Sequence, residues 1–131
     1  MNDLYRELRD RGLETNVAEL EAFGFTVIED ALSSDLIDRL RAALLADAEK
    51  RHERAFDIEN ETDLEGVSLL SYLLFKDTAF EEALLLPGPL ALVTYLMGQS
   101  CLLSSVTCHF KGPGGAGLGL HADNANGAPA P

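Results

Sequence analysis

The sequence predicts an α+β chain in which helices come first and strands come last. Three observations carry that expectation. Apolar residues recur at helical spacing in several stretches before residue 98, Cys101 to Phe110 is rich in strand-favouring residue types, and formal charge nearly vanishes after residue 82. Residues 1–82 hold 21 of the 22 acids and 9 of the 10 Lys and Arg, whereas 83–131 hold only Lys111 and Asp123. A free-standing small domain must show most of its residues to water, so the uncharged second part reads as interior.

The first helical stretch spans about residues 2–22, where Leu4, Leu8, Leu13, Val17 and Leu20 sit near helical spacing and Gly12 is a possible break. Gly24 ends it, and Phe25-Thr-Val-Ile-Glu29 reads as a short strand of β-formers. Ser33, Ser34 and Asp35 offer caps to a long amphipathic helix carrying Leu36, Ile37, Leu40, Leu44 and Leu45 and running to about Arg54. Residues 57–66 form an acidic loop. Two short helices are expected next, over Leu69–Phe75 and, behind an Asp77/Thr78 cap, over Phe80–Leu86. Pro89 suits the first turn of a helix that Gly98 stops after Met97. Cys101–Phe110 is then a strand, Lys111–Gly117 a breaker-rich turn, Leu118–His121 extended again, and 124–131 a loop or disordered tail.

Composition excludes several partners. With a net charge of −12, the chain would be repelled by a nucleic-acid backbone or an anionic membrane. The run without formal charge at 83–108 is interrupted by Pro87-Gly88-Pro89, and the remainder to Met97 is too short to cross about 30 Å of hydrocarbon. The charged start, Met1 to Asp10, has no apolar stretch of a signal peptide. Cys101 and Cys108 form no CxxC pair and read as two buried thiols, so a cytoplasmic protein without a disulfide framework is expected.

Few residues carry recognisable chemistry. Asp57, Glu59, Glu61, Asp63 and Glu65 alternate like a calcium loop, yet the sixth and twelfth positions hold Thr62 and Ser68 instead of Gly and Glu, which leaves a solvated acidic loop. The Gly-rich turn 112–119 lacks the Gly-Lys-Ser/Thr of a phosphate cradle and reads as a hairpin connection. His52 lies on a polar helix face. On the Cys101–Phe110 strand, Leu102, Ser104, Val106, Cys108 and Phe110 share one face; Cys101, Leu103, Ser105, Thr107 and His109 share the other, which suits either a cavity lining or an exposed edge. His121-Ala-Asp123 is the sharpest signal. On an extended backbone both side chains project to one side, giving two of the three ligands in a 2-His-1-carboxylate iron site.

The order of these motifs resembles the phytanoyl-CoA dioxygenase family. The resemblance rests on Gly24-Phe-Thr-Val-Ile-Glu-Asp-Ala-Leu-Ser33 before a long amphipathic helix. It rests also on a strand ending in Lys111-Gly-Pro, a Gly-rich turn, and Leu120-His-Ala-Asp-Asn124. It spans about residues 20–124, with His-x-Asp its chemically specific part. The resemblance implies a non-haem Fe(II)/2-oxoglutarate-dependent dioxygenase that hydroxylates a small organic substrate on a double-stranded β-helix (jelly roll). It implies that His121 and Asp123 are iron ligands and that Thr107 and His109 contact the 2-oxoglutarate pocket.

The family pattern continues with a second His and a 2-oxoglutarate-binding Arg, but only eight residues follow Asp123 and none is His or Arg. The expectation is therefore one incomplete oxygenase domain over 1–131: a mainly helical region at 1–98, then the first strands of a truncated jelly roll at 99–131. Such a chain would be inactive alone. A second reading, from a different class, is a non-enzymatic acidic helical interaction module with a flexible C-terminal tail. Neither a substrate identity nor an oligomeric state is written in these motifs.

Overall fold

The computed structural model describes residues 2–61, 69–114, 117 and 119. Five helices run through them: α1 (Asn2–Asp10), α2 (Glu14–Phe23), α3 (Ser34–His52), α4 (Thr78–Leu84) and α5 (Pro87–Met97). The expected first helix is divided at Gly12, whose φ of +69° is a left-handed conformation that glycine adopts without a Cβ penalty. The Leu13 amide then reaches back to the Leu8 carbonyl at 2.9 Å, turning the chain while burying both side chains. Gly24 closes α2 in the same left-handed region, its N–H donating to the Leu20 carbonyl.

The remaining helices start where side chains can satisfy their first amides. Ser33 accepts from the Leu36 amide at 3.2 Å and caps α3, which carries Asp35 in its first turn and Lys50, Arg51 and His52 in its last, complementing the helix dipole. Asp77 caps α4 by accepting from the Ala79 amide at 2.8 Å. Pro87 lies in the first turn of α5, where its missing N–H costs nothing, and the Gly98 amide closes the last turn on the Thr94 carbonyl. The α4–α5 pair is bent by 58°, and no single helix among the described residues is long and apolar enough to cross a membrane.

Two clusters of buried apolar side chains hold these pieces. In one, Leu8 and Leu13 pack with Ala91 and Leu92, joining α1 and α5, and Leu4, Val17, Leu20, Ile28 and Tyr95 surround them. The Tyr95 hydroxyl donates to the Glu21 carboxylate; that hydrogen bond raises the phenol to about 12, so the bond persists across the neutral range. In the other, Ala48, Phe56, Leu70, Leu73 and Phe80 form the centre, with Val106, Cys108 and Phe110 packed against them. Phe56 meets Phe110 edge to face at 5.9 Å, and the Arg54 guanidinium lies 3.8 Å above the Phe56 ring. Arg39 links α3 to α4 by pairing with both Asp35 (2.9 Å) and Glu82 (2.7 Å).

The structure corrects the predicted fold class: the described residues are helical, with no strand and hence no jelly roll or start of one. Phe25–Glu29 is not a strand. It finds no neighbouring strand for its backbone; Thr26 is tied instead to Glu19 (2.5 Å) and Asn16 (2.9 Å) of α2, leaving Phe25 and Val27 exposed. Leu69–Phe75 is not a helix. Tyr72 and Phe75 have φ of +59° and +64°, which interrupt regular structure, and Arg51 donates to the Ser71 carbonyl at 2.6 Å. Cys101–Phe110 is irregular and extended, and one antiparallel bridge, Leu70 with Cys108, is all the sheet pairing among the described residues. Of the two thiols expected to be buried, Cys101 is exposed and Cys108 partly buried.

Leu70 and Leu73 are each 1% exposed, whereas Tyr72 between them is 79% exposed. Leu73→Ala is therefore expected to cost about 2–5 kcal/mol of unfolding free energy and Tyr72→Ala no more than about 0.5 kcal/mol, measured by urea denaturation.

Candidate functional site

The segment from Cys101 to Phe110 carries the candidate chemistry that the structure describes. Its one-sided docking follows from residue alternation. Cys108 and Leu70 exchange both backbone hydrogen bonds, at 2.9 and 2.8 Å, and the Leu73 amide donates to the Val106 carbonyl at 3.1 Å. Backbone groups of residues 106 and 108 therefore face Leu70–Leu73, while the side chains of Val106, Cys108 and Phe110 enter the core cluster. The apolar face read from the sequence is thus the packed face over 106–110. Leu102, on the same register, lies beyond the core and is 93% exposed.

Thr107 and His109 fall on the opposite face, and both are exposed. Neither lines the groove that this segment does border. That groove, of about 720 Å³, lies between α4, α5 and the 101–104 segment, with Phe75, Leu85, Val93, Met97, Leu102 and Leu103 among its walls and Glu81 the one charged side chain. The groove itself was missed by the sequence reading. The signal that could have found it was the apolar residues at 85, 93, 97, 102 and 103, more than a single uncharged helix and strand can bury.

His121 and Asp123 lie outside the described residues. Among the described residues, no three His, Cys, Asp or Glu side chains come together so as to hold a metal ion, which corrects the expectation of a metal-binding centre there. An imidazole and a carboxylate suit Fe(II) by donor chemistry. Among the described residues of the acidic loop, Asp57 and Glu61 are tied to local partners. Asp57 accepts from the Asn60 side chain and from the Glu59 and Asn60 amides, which hold its carboxyl below the usual range, and Glu61 is lowered by its hydrogen bonds from Arg54.

No protein-family model matches the chain, and no solved structure is significantly similar to it.

The two thiols differ in setting. Burial pushes the Cys108 thiol up, leaving less thiolate at neutral pH, whereas Cys101 is exposed in the groove wall. Maleimide labelling followed by peptide mass mapping is expected to modify Cys101 at least about tenfold faster than Cys108 in the native chain, and both at similar rates in denaturant.

Proposed function

We propose that this chain carries part of the iron site of a non-haem Fe(II)/2-oxoglutarate-dependent oxygenase that hydroxylates a small organic substrate, similar to the phytanoyl-CoA dioxygenase family, and that these 131 residues alone do not turn over. The observation that carries this reading is His121-Ala-Asp123, an imidazole and a carboxylate at the two-residue spacing an iron site uses. It is supported by the ordered features before it: Gly24–Ser33, the long amphipathic helix after it, and the strand-like Cys101–Phe110 leading into a glycine-rich turn. The lack of activity follows from chemistry. Two protein ligands hold iron weakly, and no Arg after Asp123 is present to form the bidentate pair that a dicarboxylate co-substrate requires.

The second reading, a non-enzymatic acidic helical interaction module, is favoured by one observation: the described residues are helices joined by irregular chain. The two readings part over metal. Anaerobic titration of Fe(II) into the wild-type chain and into His121→Ala, followed by calorimetry, should show weak binding that the substitution abolishes. Identical curves would support the module. Oxygen uptake coupled to stoichiometric succinate by the purified chain would contradict the predicted inactivity.

A further inference from the structure

We propose that the apolar groove between α4, α5 and residues 101–104 binds a small organic cation with an apolar body, in its simplest form an alkylammonium, and that Glu81 supplies the opposite charge. Both helices give the groove a face that the core does not use. On α5, Ala91, Leu92 and Tyr95 belong to the cluster shared with α1, whereas Leu90, Val93 and Met97, three and four residues apart, line the groove and are exposed. A helix that is apolar on two faces needs cover on both, and among the described residues α5 has it on one. On α4, Phe80 enters the other core cluster and Glu82 pairs with Arg39 at 2.7 Å. Glu81 and Leu84 are left to line the groove, with Leu85 at the helix end.

Charge selects the occupant. Glu81 is half-buried in an otherwise uncharged lining, and among the described residues no Lys or Arg pairs with it. A neutral apolar guest would cover this carboxylate without compensating it, and covering an unpaired charge is costly. An anion such as a fatty acid would meet like charge in the groove and in the chain as a whole, which stands at −12. A cation on an apolar body avoids both penalties: its body fills the walls and its ammonium donates to Glu81. Size then favours a small molecule. The groove volume of about 720 Å³ lies within the range of about 300–1,000 Å³ usual for small-molecule pockets. A helix about 10–12 Å across occupies roughly 400–600 Å³ per turn, so the groove holds less than the two turns over which a helical peptide sets its anchors. This inference does not rest on the iron-ligand reading of His121 and Asp123, and its test contains no metal.

Calorimetric titration of the full chain with octylammonium, octanol and octanoate tests it. Octylammonium is expected to bind with a Kd below about 1 mM, at least about tenfold tighter than either of the others. Cys101 stands in the groove wall, so saturating octylammonium should slow its maleimide labelling at least about fivefold and leave that of Cys108 unchanged. Glu81→Gln should bring octylammonium down to the affinity of octanol. Asp38→Asn, which removes the same charge from an exposed position on α3, should change it no more than about twofold. Circular dichroism checks that each variant is folded; should Glu81→Gln unfold, the wild-type series and the Cys101 protection decide. Octanol or octanoate binding as tightly as the amine would overturn the proposal. So would a folded Glu81→Gln chain that binds the amine like the wild type, an equal loss in Asp38→Asn, or Cys101 labelling unchanged at saturation. An octylammonium Kd weaker than about 1 mM overturns it as well, even where a basic amphipathic peptide or a second copy of the chain is found to cover the groove.

Discussion

The described structure depends on one junction, the exchange of backbone hydrogen bonds between Leu70 and Cys108 over a shared apolar cluster. Leu70 and Leu73 come from the irregular chain between α3 and α4; Val106, Cys108 and Phe110 come from the uncharged segment after α5. The cluster they share with Ala48, Phe56 and Phe80 is where the charged first part meets the uncharged second part. Hydrogen bonding fixes the edge of the segment that faces the helices, and alternation then dictates the rest: which side chains are buried, which backbone groups are left over, and where Thr107 and His109 point. A one-residue slip would exchange the two faces and expose Cys108 while burying His109, which has no apolar surface to offer the core.

Local signals with a single physical meaning were legible in the sequence. Ser33, Asp77 and Pro89 mark helix starts because they satisfy or dispense with orphan amides, and Gly24 and Gly98 mark ends, although the last helix begins two residues earlier, at Pro87. Leu69–Phe75 was misread because Leu70 and Leu73, three apart, match a helical stripe as well as a kinked extended segment. Only the positive φ values of Tyr72 and Phe75 and the contact with residues 106–108 separate the two. Phe25–Glu29 was misread for a complementary reason. Its residues favour strands, but strand propensity is realised only when a neighbour completes the ladder, and here the side chains of α2 supply the partners instead.

The site was legible to the extent that chemistry is written in residue type. His121-Ala-Asp123 stands out by spacing alone, whereas the roles of Thr107 and His109 depended on a surrounding barrel that the described residues do not form. The groove at α4, α5 and residues 101–104 emerges only in three dimensions, since its walls come from separate stretches whose apolar residues each look like ordinary core. Its exposure fits the charge division that the sequence displays. A stretch of chain without charges, docked along one edge, leaves an apolar surface exposed beside α4 and α5.

The central claim is that the segment through Phe110 is held on the helical core by shared packing, and a double-mutant cycle between Phe56 and Phe110 tests it most directly. The rings meet edge to face at 5.9 Å. Phe56→Ala and Phe110→Ala should each destabilise the chain to urea, with a coupling energy of about 0.5–1.5 kcal/mol between them. Additive effects, or a Phe110→Ala chain as stable as the wild type, would contradict the account by showing that the segment is not docked on that core.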